Sequence, residues 1–193
     1  MTIAKRVYDG IINNDADYCG DGAEWSEASH FEMLNRYANL CDSVTEFGVY
    51  DWNTTWAFVN SGIKKLRCYD GKERGRFDRG TGGYGDVIRA CNEKDIDFEF
   101  VKANTRECDI EKTDMLFLDT WHSYDQVSCE LRLASKVRRF ILFHDTVLFG
   151  VIGSGGEEGI LRAINEFLNS NPEWEIVEDN QEGNGLLAIE RVS

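Results

Sequence analysis

Short runs of β-branched, aromatic and aliphatic residues recur along the chain, and each run is about the length of one β-strand. Polar or glycine-containing stretches bound these runs, as is typical of strands that enter and leave a buried sheet. The pattern predicts strands at 44–49, 65–70, 97–102, 114–119, 139–144, 174–179 and 186–191.

Between the strands, hydrophobic residues recur at intervals of three and four, which is typical of helices that bury one face. This periodicity predicts helices over 31–41, 127–137 and 160–167. Strands separated by helices pair in parallel through right-handed crossovers, so the chain is predicted to form an α/β sheet with helices on both faces. Only the short acidic turn 180–184 separates the last two strands, which predicts an antiparallel hairpin at the sheet edge.

The charge balance narrows the function. The 193 residues carry 21 Lys and Arg against 35 Asp and Glu, a formal net charge of −14, which disfavours binding to nucleic acid or to an anionic membrane surface. The apolar runs are far shorter than the roughly 20 residues that span a bilayer, and the first residues lack the apolar stretch of a signal peptide. We therefore expect a cytoplasmic protein that acts on a small molecule or binds another protein.

The chain shows no internal repeat and no low-complexity linker, so we expect one globular domain over 30–193. Residues 1–29 are predicted to be an N-terminal extension that forms a cap over the domain or a surface that binds a partner. A homo-oligomer is among the assemblies that we consider.

Two glycine-rich stretches are candidates for mobile loops. The stretch 74–85 is also basic but lacks the ending of a phosphate-binding loop, and it is predicted to meet an anionic substrate through Arg74, Arg76 or Arg79. The stretch 150–158 is predicted to form a second flexible lid.

Acidic residues lie at or near the carboxyl ends of four predicted strands. In an open parallel sheet, ligands bind in the crevice beyond these ends. A single Asp after a strand is often only a helix cap or turn residue, but four carboxylates on one rim together indicate a binding site. The rim residues are Glu46, Asp70, Asp119 and Asp145, with Asn104 and Thr105 after the third strand.

Four segments resemble successive motifs of class I S-adenosylmethionine-dependent methyltransferases: 44–55, 114–124, 140–146 and 183–189. Within that family they are most similar to a small group with D-x-x-H-x-Y and H-D-T motifs, related to catechol-type and sugar O-methyltransferases. The resemblance covers nearly the whole chain. It implies a Rossmann-like seven-stranded sheet in the order 3-2-1-4-5-7-6, with strand 7 antiparallel and the methyl donor lying across strands 1, 2 and 4.

The resemblance also implies which residues hold the donor. A carboxylate at the end of the second strand can accept two hydrogen bonds from the ribose diol, which suits Asp70. Glu46 and Gly48 are expected at the amino-acid end of the donor, Asn104 or Thr105 beside the adenine, and Asp119 at the cofactor as well.

For catalysis, the resemblance implies a metal-assisted O-methylation of a small hydroxylated acceptor, with sugars among the candidates. Asp119 and Asp145 are expected to bind Mg²⁺ or Mn²⁺, with His144 or Thr146 as a third ligand, and His122 to accept the proton of the hydroxyl. The alternatives are a helix-start residue for His122 and a buried histidine bonded to the backbone for His144.

The loop after the first strand departs from the family pattern. Trp52 and Asn53 stand where the family usually has glycines, which allow close approach of the backbone to the cofactor and a positive φ. Two arrangements follow for Trp52. Either its ring points outward over a ligand edge, or it fills the loop and the chain is a non-catalytic binding or assembly protein. An enzyme of the same fold with different chemistry, such as a hydroxylase or a decarboxylase, is a third reading.

Overall fold

The computed structural model describes residues 2–13, 28–72 and 82–192. Its centre is a seven-stranded sheet in the order β3-β2-β1-β4-β5-β7-β6, which confirms the predicted topology. The strands are β1 (Ser43–Phe47), β2 (Lys65–Asp70), β3 (Asp97–Lys102), β4 (Thr113–Leu118), β5 (Val137–His144), β6 (Trp174–Asn180) and β7 (Leu186–Arg191).

Strand pairing follows the pattern of the sequence. The first five strands pair in parallel, and β7 pairs antiparallel with both β5 and β6. All five residues of β1 are buried, because helices cover both faces of the sheet at its centre. The short turn between β6 and β7 makes the expected edge hairpin.

The helices bury apolar stripes on the two faces of this sheet. They are α1 (Ile3–Ile12), α2 (Ala28–Ala38), α3 (Asn53–Val59), α4 (Tyr84–Glu93), α5 (Tyr124–Leu131) and α6 (Ile160–Ser170). One hydrophobic core lies under α1 to α4, and a second lies under α5 and α6. In the described part of the chain, no helix has the length and apolar character needed to cross a membrane.

The predicted helix over 127–137 is wrong at both ends. Ser123 begins α5 as its N-cap, accepting a hydrogen bond from the Gln126 amide, and the α-helix stops at Leu131. A 3-10 helix, Arg132–Lys136, follows and leads into β5 at Val137. This 3-10 helix still buries Leu133 and Ala134, which explains why the spacing of apolar residues in the sequence extends beyond the end of the α-helix.

Part of the predicted N-terminal extension belongs to the domain core. Helix α1 buries Ala4, Val7 and Ile11 in the core that α2 to α4 share, and the Tyr8 ring lies 5.0 Å from that of Phe31. Residues 14–27 and 73–81 lie outside the described residues. The roles predicted for Arg74, Arg76 and Arg79 therefore stay predictions.

Candidate active site

Gly48 brings the loop after β1 against the end of β4. Its φ is +84°, and a Cβ on this residue would lie 1.8 Å from the Asp119 carbonyl oxygen. Tyr50 and Trp52 also have positive φ, at 48° and 72°, although neither is glycine. Of the two positions where the family pattern has glycine, Trp52 is therefore left-handed and Asn53 begins α3, so the conformational cost falls on Trp52 and on Tyr50.

The Trp52 side chain turns into the core. It is fully buried, and its ring centroid lies 5.2 Å from Tyr84 and 5.6 Å from Phe100, with Phe98 also in contact. The arrangement with the ring pointing outward over a ligand edge is therefore wrong, whereas a filled and non-catalytic cofactor loop stays a prediction. The physical reason is that burial of a large indole against three rings outweighs the cost of the backbone angle.

Glu46 is enclosed within the protein. Its carboxylate accepts hydrogen bonds from the Thr54 and Thr55 hydroxyls at 2.7 Å each and from the Cys68 thiol at 3.0 Å. Burial raises its pKa to about 7, and these three hydrogen bonds oppose the rise. Direct contact between Glu46 and a ligand, as the resemblance implied, is therefore not what the structure shows: the residue fastens α3 to the sheet.

A cleft of about 340 Å³ opens where β1, β2, β3 and β4 end. Five residues expected at the donor meet there: Gly48, Asp70, Asn104, Thr105 and Asp119. Within the described chain its wall consists of Gly48, Tyr50, 70–72, 103–105, 119–121 and Gln126.

Seven of these wall residues were not predicted: Tyr50, Gly71, Lys72, Ala103, Thr120, Trp121 and Gln126. Trp121 lies within a motif quoted for the resemblance, whereas Gln126 shows no signal in the sequence beyond its place at the start of a helix.

Asp70 connects two loops at the wall of this cleft. Its Oδ2 accepts hydrogen bonds from the backbone amides of Val49 and Tyr50 at 3.0 and 3.2 Å, and its Oδ1 accepts one from the Lys72 amide at 2.8 Å. A carboxylate has about four acceptor positions, so Asp70 can still accept a further hydrogen bond from a ligand.

Asp119 and Asp145 come together around His122. The His122 Nε2 atom lies 3.1 Å from Asp119 Oδ1 and 2.9 Å from Asp145 Oδ2. Burial disfavours the imidazolium, but the hydrogen bonds to both carboxylates outweigh this effect and raise the pKa of His122 to about 9. The imidazolium balances the two carboxylates, and the N-cap of α5 is Ser123 rather than His122.

His144 completes this cluster from the end of β5. Its Nδ1 lies 3.2 Å from Asp145 Oδ1 and 3.6 Å from Asp119 Oδ1, and its Nε2 lies 3.4 Å from Nδ1 of the buried His30. His30, on α2, was not predicted to be near the site. Its sequence position, 114 residues before His144, gives no sign of this contact.

The donor set suits a divalent cation. One ligand atom from each of Asp119, His144 and Asp145 lies within 4.8 Å of the other two. Within the described part of the chain, the Thr146 hydroxyl oxygen beside this cluster is buried without a hydrogen-bond partner. Asp145 also has a φ of +61°, a strained angle of the kind that concentrates at functional sites. Two carboxylates with an imidazole fit Mn²⁺ or another transition metal better than Mg²⁺.

The loop after β5 packs on His122. The Phe149 ring stacks on the imidazole at 4.8 Å, and the Ser154 amide donates to the His122 carbonyl oxygen at 2.8 Å. A Cβ on Gly153 would lie 2.3 Å from the same oxygen. The stretch 150–158 meets the site through Gly153 and Ser154, while Val151 and Ile152 are exposed, and its role as a flexible lid stays a prediction.

Comparison with known proteins places the fold in a structural class. No protein-family model matches the chain, and no curated protein matches its sequence. Among solved structures, the O-methyltransferase from Bacillus cereus in complex with S-adenosylhomocysteine is similar, with a TM-score of 0.62, 12% identity, and coverage of 98% of this chain and 90% of that one.

Two further structures are similar in the same way. N-methyltransferase NodS from Bradyrhizobium japonicum WM9, in complex with S-adenosylhomocysteine, has a TM-score of 0.60 at 13% identity, with both chains covered completely. The ribosomal protein L11 methylase from Lactobacillus delbrueckii subsp. bulgaricus has a TM-score of 0.57 at 14% identity, with coverage of 85% of this chain and 79% of that one. The chain has the fold of the class I methyltransferases. These neighbours methylate different kinds of acceptor by name, so the fold leaves the acceptor open.

In this methyltransferase fold, the strand order reverses between β1 and β4. The cleft lies at that switch point, beyond the carboxyl ends of the strands, which is where open α/β sheets bind their ligands. Asp119, at the end of β4, belongs both to the cleft wall and to the carboxylate–histidine cluster.

Proposed function

We propose that this protein is an S-adenosylmethionine-dependent methyltransferase that methylates a hydroxyl group of a small acceptor, with sugars among the candidates. One observation carries the proposal: Asp119 lies on the wall of the cleft and also within the cluster of Asp145, His122 and His144. A donor in the cleft and an acceptor at the cluster would therefore both lie beside Asp119 and so close to each other, as direct methyl transfer requires.

The cleft suits the chemistry of the donor. S-adenosylmethionine supplies a methyl group activated by a sulfonium cation, and it also carries a ribose diol. Asp70 is the residue proposed to accept hydrogen bonds from that diol, since its carboxylate has acceptor positions left after the three backbone amides. Asp119 adds negative charge to the wall that the sulfonium would approach.

The cluster is proposed to act on the acceptor. Asp119, Asp145 and His144 are the residues that would hold a divalent cation. Such a cation would take over the charge balance that His122 provides and would lower the pKa of an acceptor hydroxyl. His122 is the proposed proton acceptor, because Phe149 and the two carboxylates fix the orientation of its ring.

Calorimetric titration with S-adenosylhomocysteine tests the donor site. We expect saturable binding, weakened at least about tenfold in Asp70→Asn, since a hydrogen bond to a charged acceptor is worth roughly 1.5–3 kcal/mol. Asp179→Asn, on the exposed part of β6, is the matched control and should bind as the natural protein does. A folded protein that gives no heat at millimolar ligand would refute the proposal.

The alternative is a non-catalytic binding protein; the burial of Trp52 against Tyr84, outside the lining of the cleft, supports the enzyme over it. It makes a different prediction for the same sample. A binding protein would bind S-adenosylmethionine and return it unchanged with every hydroxylated acceptor, whereas an enzyme releases S-adenosylhomocysteine. Mass spectrometry of the donor after incubation with a panel of sugars and catechols therefore separates the two.

A further inference from the structure

The two ring nitrogens of His144 face different parts of the protein. Nδ1 lies 3.2 Å from Asp145 Oδ1 and 3.6 Å from Asp119 Oδ1, whereas Nε2 lies 3.4 Å from Nδ1 of His30. His144 is buried, so protein groups rather than bulk solvent determine which of its nitrogens carries the hydrogen. Nδ1 is therefore the atom that this ring presents to the two carboxylates, and Nε2 is the atom that it presents to His30.

Helix α2 holds His30 against the end of β5. His30 is buried, and its neighbours Phe31 and Leu34 on the same helix pack in the hydrophobic core. The His30 ring meets the His144 ring edge-on, with the ring centroids 5.4 Å apart and the planes at 90°. Because α2 is anchored in the core, the position of His30 beside His144 does not depend on an exposed loop.

This contact has a consequence for cation binding by His144. An imidazole that binds a cation through one nitrogen carries its hydrogen on the other nitrogen. For His144 bound through Nδ1, that hydrogen lies on Nε2 and points to Nδ1 of His30. His30 can accept the hydrogen bond when its own hydrogen is on Nε2, because Nδ1 then keeps a lone pair.

A neutral ring suits this position. Histidines that bind metals commonly donate their second N–H to a carboxylate or to a backbone carbonyl. Asp119 and Asp145 already supply two negative charges, which one divalent cation balances. A third carboxylate behind His144 would leave excess negative charge in a buried site, whereas a neutral imidazole accepts the hydrogen bond and adds no charge.

We propose that His30 is a positioning residue for the metal site: it accepts a hydrogen bond from Nε2 of His144 and so directs Nδ1 of that ring towards Asp119 and Asp145. The inference rests on the metal-assisted part of the proposed function and deepens it with a residue of α2. Removing a group that holds a metal ligand in this way typically costs roughly tenfold to a hundredfold in metal affinity.

Titration with Mn²⁺ alone, followed by electron paramagnetic resonance, tests this role without any need for turnover. His30→Leu and His30→Asn are a matched pair, because Leu and Asn have nearly the same shape. Asn places an amide oxygen near the position of His30 Nδ1 and keeps an acceptor there, whereas Leu has none. We expect His30→Leu to bind Mn²⁺ at least about tenfold more weakly than the natural protein, and His30→Asn to bind it within about threefold.

A purely structural role for His30 would not separate these two variants. Equal weakening of Mn²⁺ binding in His30→Leu and His30→Asn would therefore overturn the proposal. Binding of S-adenosylhomocysteine should be the same in both variants and in the natural protein, because His30 does not line the cleft. This calorimetric measurement shows that a loss of Mn²⁺ affinity is local.

Nitrogen NMR of the histidine rings tests the geometry in the natural protein, with diamagnetic Zn²⁺ as the probe. We expect Zn²⁺ to shift the Nδ1 resonance of His144 and to leave the hydrogen on its Nε2. Coordination through Nε2 would overturn the proposal, since that atom faces His30. If His30→Leu does not fold, this spectrum decides the proposal by itself.

The outcomes separate this inference from the proposed function. Unchanged Mn²⁺ affinity in His30→Leu overturns the role of His30 and leaves the metal site in place. Absence of Mn²⁺ binding to the folded natural protein overturns this inference together with metal assistance, whereas the donor site stands or falls by the titration with S-adenosylhomocysteine.

Discussion

Gly48 and Asp119 are in direct backbone contact, at the point where the strand order of the sheet reverses. A Cβ on Gly48 would lie 1.8 Å from the Asp119 carbonyl oxygen, and the Gly48 φ of +84° is strained for any residue with a side chain. The cleft and the carboxylate cluster both include Asp119, so this contact helps to set the geometry of the whole site.

Gly48→Ala should therefore destabilise the protein by at least about 2 kcal/mol, since the added carbon meets backbone atoms that cannot rotate away. Urea denaturation measures the loss. Gly71→Ala is the matched control, because a Cβ there meets nothing within 4 Å, and it should change stability little. Equal stability of the two variants would contradict the close contact.

Glu46→Gln should change how stability depends on pH. Burial raises the pKa of Glu46 to about 7, well above its value in an unfolded chain. At pH values between the pKa of the unfolded chain and that of the folded protein, the folded state holds a proton that the unfolded state has lost. The free energy of unfolding therefore falls as pH rises, by up to roughly 3 kcal/mol. The variant lacks this decline.

Urea denaturation at pH 5 and pH 8 measures that difference. The stability of Glu46→Gln relative to the natural protein should rise between the two pH values. The exposed Glu175, changed to Gln, should give a difference that does not vary with pH. Parallel pH profiles for the natural protein and Glu46→Gln would show that the buried carboxyl does not titrate in this range.

Asp145→Asn should weaken Mn²⁺ binding by tenfold or more, as expected when one ligand of a metal site loses its charge. Asn tolerates the left-handed backbone angle of this position, so the variant should keep the local fold. Electron paramagnetic resonance of free Mn²⁺ measures the affinity without any need for turnover. The exposed Asp125, changed to Asn, is the control and should bind Mn²⁺ as before. Unchanged affinity in Asp145→Asn would refute the metal site.

Trp52→Gly should destabilise the fold and leave donor affinity without a gain. Removing a fully buried indole from its contacts with Tyr84 and Phe100 costs about 3–5 kcal/mol. Glycine offsets roughly 1 kcal/mol of this loss, because it adopts the positive φ of this position without strain. Denaturation and calorimetric titration with S-adenosylhomocysteine measure the two effects. Tighter donor binding in the variant would mean that the indole blocks the cleft after all.

Much of the fold could be read from the chain itself. Strand positions followed from runs of apolar residues, and β2, β3 and β7 begin and end where the pattern placed them. The helix after β4 was less well predicted, because a 3-10 turn buries residues at nearly the same spacing as an α-helix. The rim of carboxylates was also visible, since the end of a strand is a local property of the sequence.

The sequence by itself determined which residues stand at the strand ends, because alternating burial and turn chemistry act over a few neighbouring positions. Only the tertiary structure decided which of them meet. It enclosed Glu46 beneath α3, turned Trp52 into the core, and brought His30 to His144 across 114 residues. Such contacts depend on how helices pack across the sheet, and a local pattern specifies that a side chain is buried without specifying its partner.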